Sequence, residues 1–481
     1  MKQILNKLIP VLLAALLVLS LAACGSNTTA QESGTQAAAQ SQNGTASGEN
    51  VNIKTDGGEG WSDISGSQSG SSSQSDGQSA VSTGGSALDT ADLFSDRDLE
   101  QEADLSEAVS ETLTDGHTLE ITAAGVYVLS GSAKNASVTV EAGDEDKVQL
   151  VLDGLSVTND SVPVIYVKNA DKVFVTTAQG SENILSVTGT FTADGSTNTD
   201  AVIFSRDDLV LNGLGSLSIS STDNGVSCKD DLKITGGSLT VSAVDHALEA
   251  NDSIAVCGGE ISVTSSAKDG LHAENEDDNS KGWIYISGGS LTVKAADDGV
   301  HAVSILQMDG GSLNVTAAEG LEATWIQIND GDISIQATDD GVNAGRKSSA
   351  YTVCVEINGG SLTVTMGQGD TDAIDSNGNL IITGGTLNIT AQSPFDCDGS
   401  VTKTGGTIIV NGVETDQITS QFGGGMGGFG GRGGMGGFGG QGGFGGQSGA
   451  ESQTGQNGQG GFEGQTGQNG QGGFGGGGRR R

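Results

Sequence analysis

The chain has 481 residues and a formal net charge of −39, with 60 Asp and Glu against 21 Lys and Arg. So large an acidic excess argues against a nucleic-acid partner and against unaided adhesion to anionic polymers. Little of it comes from the C-terminal stretch, which carries Glu451 and Glu463 against four arginines.

Residues 1–23 read as a lipoprotein signal peptide. Lys2 and Lys7 give a positive start, 8–21 an apolar run, and Leu21-Ala22-Ala23-Cys24 a cleavage site ending in cysteine. Cys24 is then the lipidated first residue of the mature chain, which places the protein on the extracellular face of a bacterial cell membrane. Residues 24–92, dominated by Ser, Gln, Gly, Thr and Asn, are expected to be a flexible tether. Residues 416–481, mostly Gly and Gln with spaced phenylalanines, form a low-complexity tail that cannot build a core.

The folded part is expected over 93–415. From Gly237 onward a glycine followed by an alternating strand recurs, as in Gly237-Ser-Leu-Thr-Val, Gly289-Ser-Leu-Thr-Val and Gly360-Ser-Leu-Thr-Val. Where nothing is inserted, the starts lie roughly 20–22 residues apart, a period that signals stacked repeats. Within a copy, 290–293, 299–302 and 305–308 alternate apolar with polar residues, the two-residue period of a strand. The fold class this predicts is all-β: a right-handed parallel β-helix, with a β-sandwich as the alternative. Upstream, 148–152, 155–157, 164–167, 172–175, 201–204 and 209–211 read as earlier, less regular turns. Residues 93–118 are expected to cover the open N-terminal edge.

The middle strand of each copy varies where the others do not. Its outward position reads Ser227, Glu249, His272, His301, Glu322, Asn343, Asp375 and Asp396, and Asp245, Asp269, Asp297, Asp298, Glu319, Asp339, Asp340, Asp370 and Asp372 lie in the preceding turns. Stacked carboxylates about 4.8 Å apart repel by some 3–4 kcal/mol at a dielectric near 20. Such a ladder calls for cations or for protonation of some of its groups, and hard oxygen ligands of irregular geometry suit Ca²⁺. The expected calcium ligands are Asp245, Glu249, Asp269, His272, Asp297, Asp298, Glu319, Glu322, Asp339, Asp340, Asp372 and Asp375. His272 and His301 raise zinc, but no Cys/His spacing gives a closed tetrahedral site. In the third strands Trp283 and Trp325, with Tyr285 beside the first, are candidate platforms for alternate sugars of a glycan. Covering an inserted loop is the competing role for these rings. Cys228, Cys257, Cys354 and Cys397 fall too far apart in this register for a disulfide.

Phe94-Ser-Asp-Arg-Asp-Leu-Glu, Ile165-Tyr-Val-Lys-Asn-Ala-Asp-Lys-Val-Phe, Ile203-Phe-Ser-Arg-Asp-Asp-Leu, Lys229-Asp-Asp-Leu-Lys-Ile-Thr-Gly-Gly and Lys281-Gly-Trp-Ile-Tyr-Ile carry a resemblance. Over about 93–412 the chain resembles clostridial carbohydrate-binding β-helix lipoproteins. The resemblance implies a calcium-carrying protein that binds cellulose or acidic, pectin-like polysaccharide, without catalysis. Asp207-Asp208 and Asp230-Asp231 match its signatures and are either further candidate cation ligands or turn residues that start a strand. The expected partners are thus a polysaccharide and, through Cys24, a membrane; the chain is expected to be monomeric. Two readings compete. A calcium-dependent polysaccharide lyase would need a strong base, for which Lys268 and Arg346 are the candidates. A structural surface stalk would need calcium only for rigidity.

Overall fold

The computed structural model describes residues 85–368 and 371–418. The expected signal peptide, Cys24, most of the tether and nearly all of the glycine-rich tail lie outside them, as does Asp370. Within them are one short helix, Asp96–Leu99, and 32 strands. Strand pairs are parallel except Thr407–Val410 with Val413–Glu414.

Like strand stacks on like strand from one repeat to the next. Ser238–Ala243 pairs with Glu260–Ser265, which pairs with Ser290–Lys294. This register puts Leu239, Ile261, Leu291, Leu313, Ile333, Leu362 and Leu387 in one file. All are buried in a single aliphatic core that reaches from Leu113 to Ile408. Each such side chain contributes about 1.5–3 kcal/mol by leaving water, which is what holds the repeats in register. The second glycine of each pair takes a left-handed turn, with φ of +79° at Gly237, +95° at Gly259 and +84° at Gly289, a conformation costly for any side chain.

The expected right-handed β-helix is corrected. Like strands stack in parallel files, and Lys147–Asn159 and Asp298–Ala317, each of which pairs with two of these files, join them into a closed ring of twelve strands with further strands outside it. Period and alternation specify which residues stack and that neighbouring strands are parallel, and those features are present. They do not specify how the sheet closes, which depends on twist and stagger.

The N-terminal segment expected to cover the first edge divides: Val109–Thr112 pairs with Gly125–Lys134 at that edge, but the residues before it do not. Residues 85–101 lie along a lateral face formed by the third strands rather than over an end. Ala87 N donates to Gln327 Oε1 at 2.8 Å and Leu88 N to Gln307 Oε1 at 2.8 Å. Further on, Asp98 is fully buried beside Lys172 (3.3 Å) and Lys233 (3.4 Å), and Thr235 Oγ1 donates to Asp98 O at 2.5 Å. Buried lysines on that face need a carboxylate, and the strap supplies it. The upstream strands correspond to Lys147–Asn159, Ile165–Asn169, Lys172–Thr177, Ala201–Ser205 and Asp208–Gly213.

Candidate functional site

Four consecutive repeats share one local design: Asp269-Gly-Leu-His272, Asp298-Gly-Val-His301, Glu319-Gly-Leu-Glu322 and Asp340-Gly-Val-Asn343. The apolar member points into the core, so the residue after it faces out. The glycine is a packing requirement. A Cβ on Gly270 would lie 2.2 Å from Val293 Cγ1, and one on Gly299 2.2 Å from Val315 Cγ1.

Two interleaved files result. One runs Ser227, Glu249, His272, His301, Glu322, Asn343, Asp375, Asp396 in strict register. The other, three residues earlier, is held by backbone bonds from the glycine or alanine that follows it. Gly225 N donates to His246 O, Ala247 N to Asp269 O, Gly270 N to Asp298 O, Gly320 N to Asp340 O and Gly341 N to Asp372 O. The files meet in a groove of about 380 Å³ that gathers Asp269, His272, Asp297, Asp298, Glu319 and Glu322 from the expected set. His246, Lys268, Glu274, His301 and Lys347 complete its walls.

The groove centre is neutralised by the chain's own cations. His301 Nδ1 lies 2.7 Å from Asp298 Oδ2 and 3.0 Å from Glu322 Oε2, and Lys347 Nζ lies 2.6 Å from Glu322 Oε1. Burial alone would lower the His301 pKa, but the bonds to Asp298 and Glu322 outweigh it and hold it up at about 10. Burial would likewise raise Glu322, yet His301 and Lys347 bring it down to about 2. Asp298 is pushed up to about 6, by burial first and then by the charges of Asp269 and Glu322, against the His301 hydrogen bond. Asp269 stays well below the usual carboxylate range: burial opposes this, but His246, His272 and the Asp298 N–H all bond to its charged form.

Away from the centre the balance changes. Burial, followed by the charges of Asp340, Asp396, Asp372 and Asp398, pushes Asp375 up to about 7. Glu319 also rises to about 7, by burial and by Glu322, Asp298 and Asp340, despite a hydrogen bond from Asn343. At the other end Glu249 accepts from Ser227 Oγ (2.6 Å) and Asn224 Nδ2 (3.0 Å) and pairs with Lys229. Asp208, Asp230 and Asp231 gather on a separate turn, where burial and Asp252 push Asp230 up to about 7. Asp245 and Asp339 are not among the residues that line the groove, and Asp339 is exposed.

The sequence matches the family described as carbohydrate-binding domain-containing protein over residues 115–371 and 320–424. It is 37% identical over 201 residues to a carbohydrate-binding domain-containing protein of Acetivibrio thermocellus; the match covers 41% of this chain and 70% of that one. The chain belongs to this carbohydrate-binding domain family. A solved structure of a polysaccharide lyase-like protein from C. thermocellum, a gadolinium derivative, is 29% identical, with 47% of this chain and 96% of that chain covered and a TM-score of 0.43.

In this carbohydrate-binding domain protein the aromatic column is partly redefined. Ile305 stacks on Trp325, and the register of Ile284 on Leu306 places Trp283 on Ile305, so the two tryptophans stand two repeats apart as expected. Both are half-buried. Tyr285 is corrected: it is 6% exposed, its ring packs against Phe94 at 6.5 Å, and its hydroxyl donates to Asp309 at 3.0 Å. The strap has taken the face a sugar would need. Cys228, Cys257 and Cys354 are free thiols.

Sequence reasoning missed three groove residues. His246 fills the slot that Asp269 and Asp298 fill in later repeats; counting back three from Glu249 would have found it. Glu274 follows His272 by two and lies beside it. Lys347 comes from an inserted loop, and no periodic signal marks it.

Proposed function

We propose that this carbohydrate-binding domain protein holds an acidic polysaccharide along the two files through bound Ca²⁺, and does so from the cell surface by way of lipidated Cys24. The observation that carries the reading is the Asp340–Asp372–Asp375 end of the files. There burial first, and then the charges of Asp340, Asp396, Asp372 and Asp398, push Asp375 up to about 7. A divalent cation relieves this repulsion, and a uronate carboxylate can complete its oxygen shell. The calcium expected along the whole ladder is therefore assigned to this end, since His301 and Lys347 already neutralise the centre. Trp283 and Trp325 are the proposed sugar platforms.

Among lysines of the groove, Lys347 is ion-paired to Glu322, and burial, which would lower its pKa, is outweighed by Glu322 so that it is raised. A lysine held charged does not accept a proton, which removes Lys347 as a base; the absorbance arm of the following test decides for Lys268 and Arg346. The test is retention of the full chain by insoluble pectate and by cellulose, with Ca²⁺ and with chelator, while absorbance of unsaturated product is followed. Calcium-dependent retention without new absorbance is expected. Rising absorbance would replace binding by cleavage, and no retention on either polymer would reject the proposal.

A further inference from the structure

The groove also contains a nitrogen-rich corner that the polysaccharide reading does not use. Three imidazoles stack across three repeats: His246 and His272 at 4.2 Å between ring centroids, His272 and His301 at 4.9 Å. His301 is committed to Asp298 and Glu322. His246 and His272 differ, because both turn Nδ1 toward one oxygen, Asp269 Oδ2, at 3.3 Å and 2.7 Å. Two further polar atoms of these residues are held from outside. Asp298 N donates to Asp269 Oδ1 at 3.0 Å, which leaves Oδ2 as the oxygen facing the rings. Glu274 Oε2 lies 3.4 Å from His272 Nε2, on the far side of that ring. His246 Nδ1, which also lies 3.4 Å from Asp269 N, offers a metal its lone pair once it gives up the proton it donates to Asp269 Oδ2.

We propose that His246 Nδ1, His272 Nδ1 and Asp269 Oδ2 form a site for a borderline divalent transition ion, with Zn²⁺ as its probe. Donor atoms bonded tetrahedrally at about 2.0–2.1 Å lie about 3.3 Å from one another. All three donors here fall within 4.8 Å of one another. Small side-chain rotations close the difference. Imidazole nitrogen selects such ions over calcium, which prefers oxygen. A carboxylate on the second nitrogen of a ligating histidine is the arrangement that orients metal-bound imidazole, and Glu274 supplies it. The fourth position opens on the groove. Binding displaces the proton shared by His272 and Asp269, so the site loads better as pH rises. This site stands whether or not the Asp375 end holds calcium or polysaccharide.

The test is a titration of the metal-stripped full chain with Zn²⁺ against a chromophoric chelator, followed by Co²⁺ loading and visible spectroscopy. One equivalent is expected, with the intense visible bands of four-coordinate cobalt. The double variant H246Q/H272Q should bind Zn²⁺ at least about 100-fold more weakly, while D375N leaves Zn²⁺ binding unchanged. Absence of stoichiometric binding, or equal binding by the double variant, would overturn the proposal. Should the double variant not fold, zinc-edge X-ray absorption on the wild-type chain decides: two imidazoles support the site, and an all-oxygen shell overturns it.

Discussion

His301 Nδ1 sits 3.0 Å from Glu322 Oε2 in the next repeat, and at 2.7 Å from Asp298 in its own. One imidazolium thus bridges two layers of buried carboxylate. Removing it leaves Asp298 uncompensated and Glu322 with Lys347 as its remaining cation. His301→Ala is expected to destabilise the domain by about 3–5 kcal/mol, measured by denaturant unfolding, with His301→Lys recovering part of the loss.

The same pair sets a pH dependence. His301 is held at about 10 in the folded state, against an unfolded value of about 6.5. A raised basic group contributes stability that is fully present below the unfolded value and lost as pH rises through the folded one. Melting temperature should therefore fall between about pH 6.5 and 10 in the wild-type chain, and the slope should flatten in His301→Gln. An unchanged slope would mean that His301 is not the group titrating.

Asp375 has the opposite chemistry but the same sign. Its folded value near 7 exceeds an unfolded value of about 3.9, so its favourable contribution exists below that value and is lost through pH 7. Asp375→Asn should raise metal-free stability at pH 8 by about 1 kcal/mol after allowance for solvent screening. It should also abolish most of the rise in melting temperature that Ca²⁺ gives the wild-type chain at that pH.

The strap over residues 85–101 depends on Asp98, which is fully buried between Lys172 and Lys233. Asp98→Ala takes the carboxylate from Lys233 and leaves Lys172 with Asp208 alone, at a cost of about 3–5 kcal/mol. Because the aliphatic core is untouched, the loss should appear as local release. Limited proteolysis is expected to cut within 85–101 while 105–418 stays resistant; simultaneous loss of both would refute a separately detachable strap.

Gly299→Ala tests how the groove is built. The added Cβ would lie 2.2 Å from Val315 Cγ1 and 2.7 Å from Gly320 O. Overpacking of this kind costs about 1–3 kcal/mol, and here it also displaces Asp298. Calorimetry should show the loss, and the His301 pH slope should weaken with it.

Much of this was legible in the sequence because stacking multiplies a weak signal. One Leu-x-Val strand says little, but Leu239, Leu291 and Leu362 at a fixed period dictate parallel register, and register alone placed Asp269, His272, Asp298 and Glu322 in one groove. What the period does not encode was missed. Closure of the sheet depends on twist summed over many strands. The strap's course depends on Asp98 meeting Lys172 and Lys233, 74 and 135 residues away. Lys347 sits in an inserted loop outside the repeat, and Tyr285 looked exposed only because Phe94 was not yet on top of it.

Calcium-dependent retention by polyuronate is the most direct test of the proposed binding. The full chain should be retained by insoluble pectate in Ca²⁺ and released by chelator, and Asp372→Asn/Asp375→Asn should weaken retention about tenfold or more, equivalent to about 1.4 kcal/mol. Retention that survives both chelator and the double substitution would contradict it.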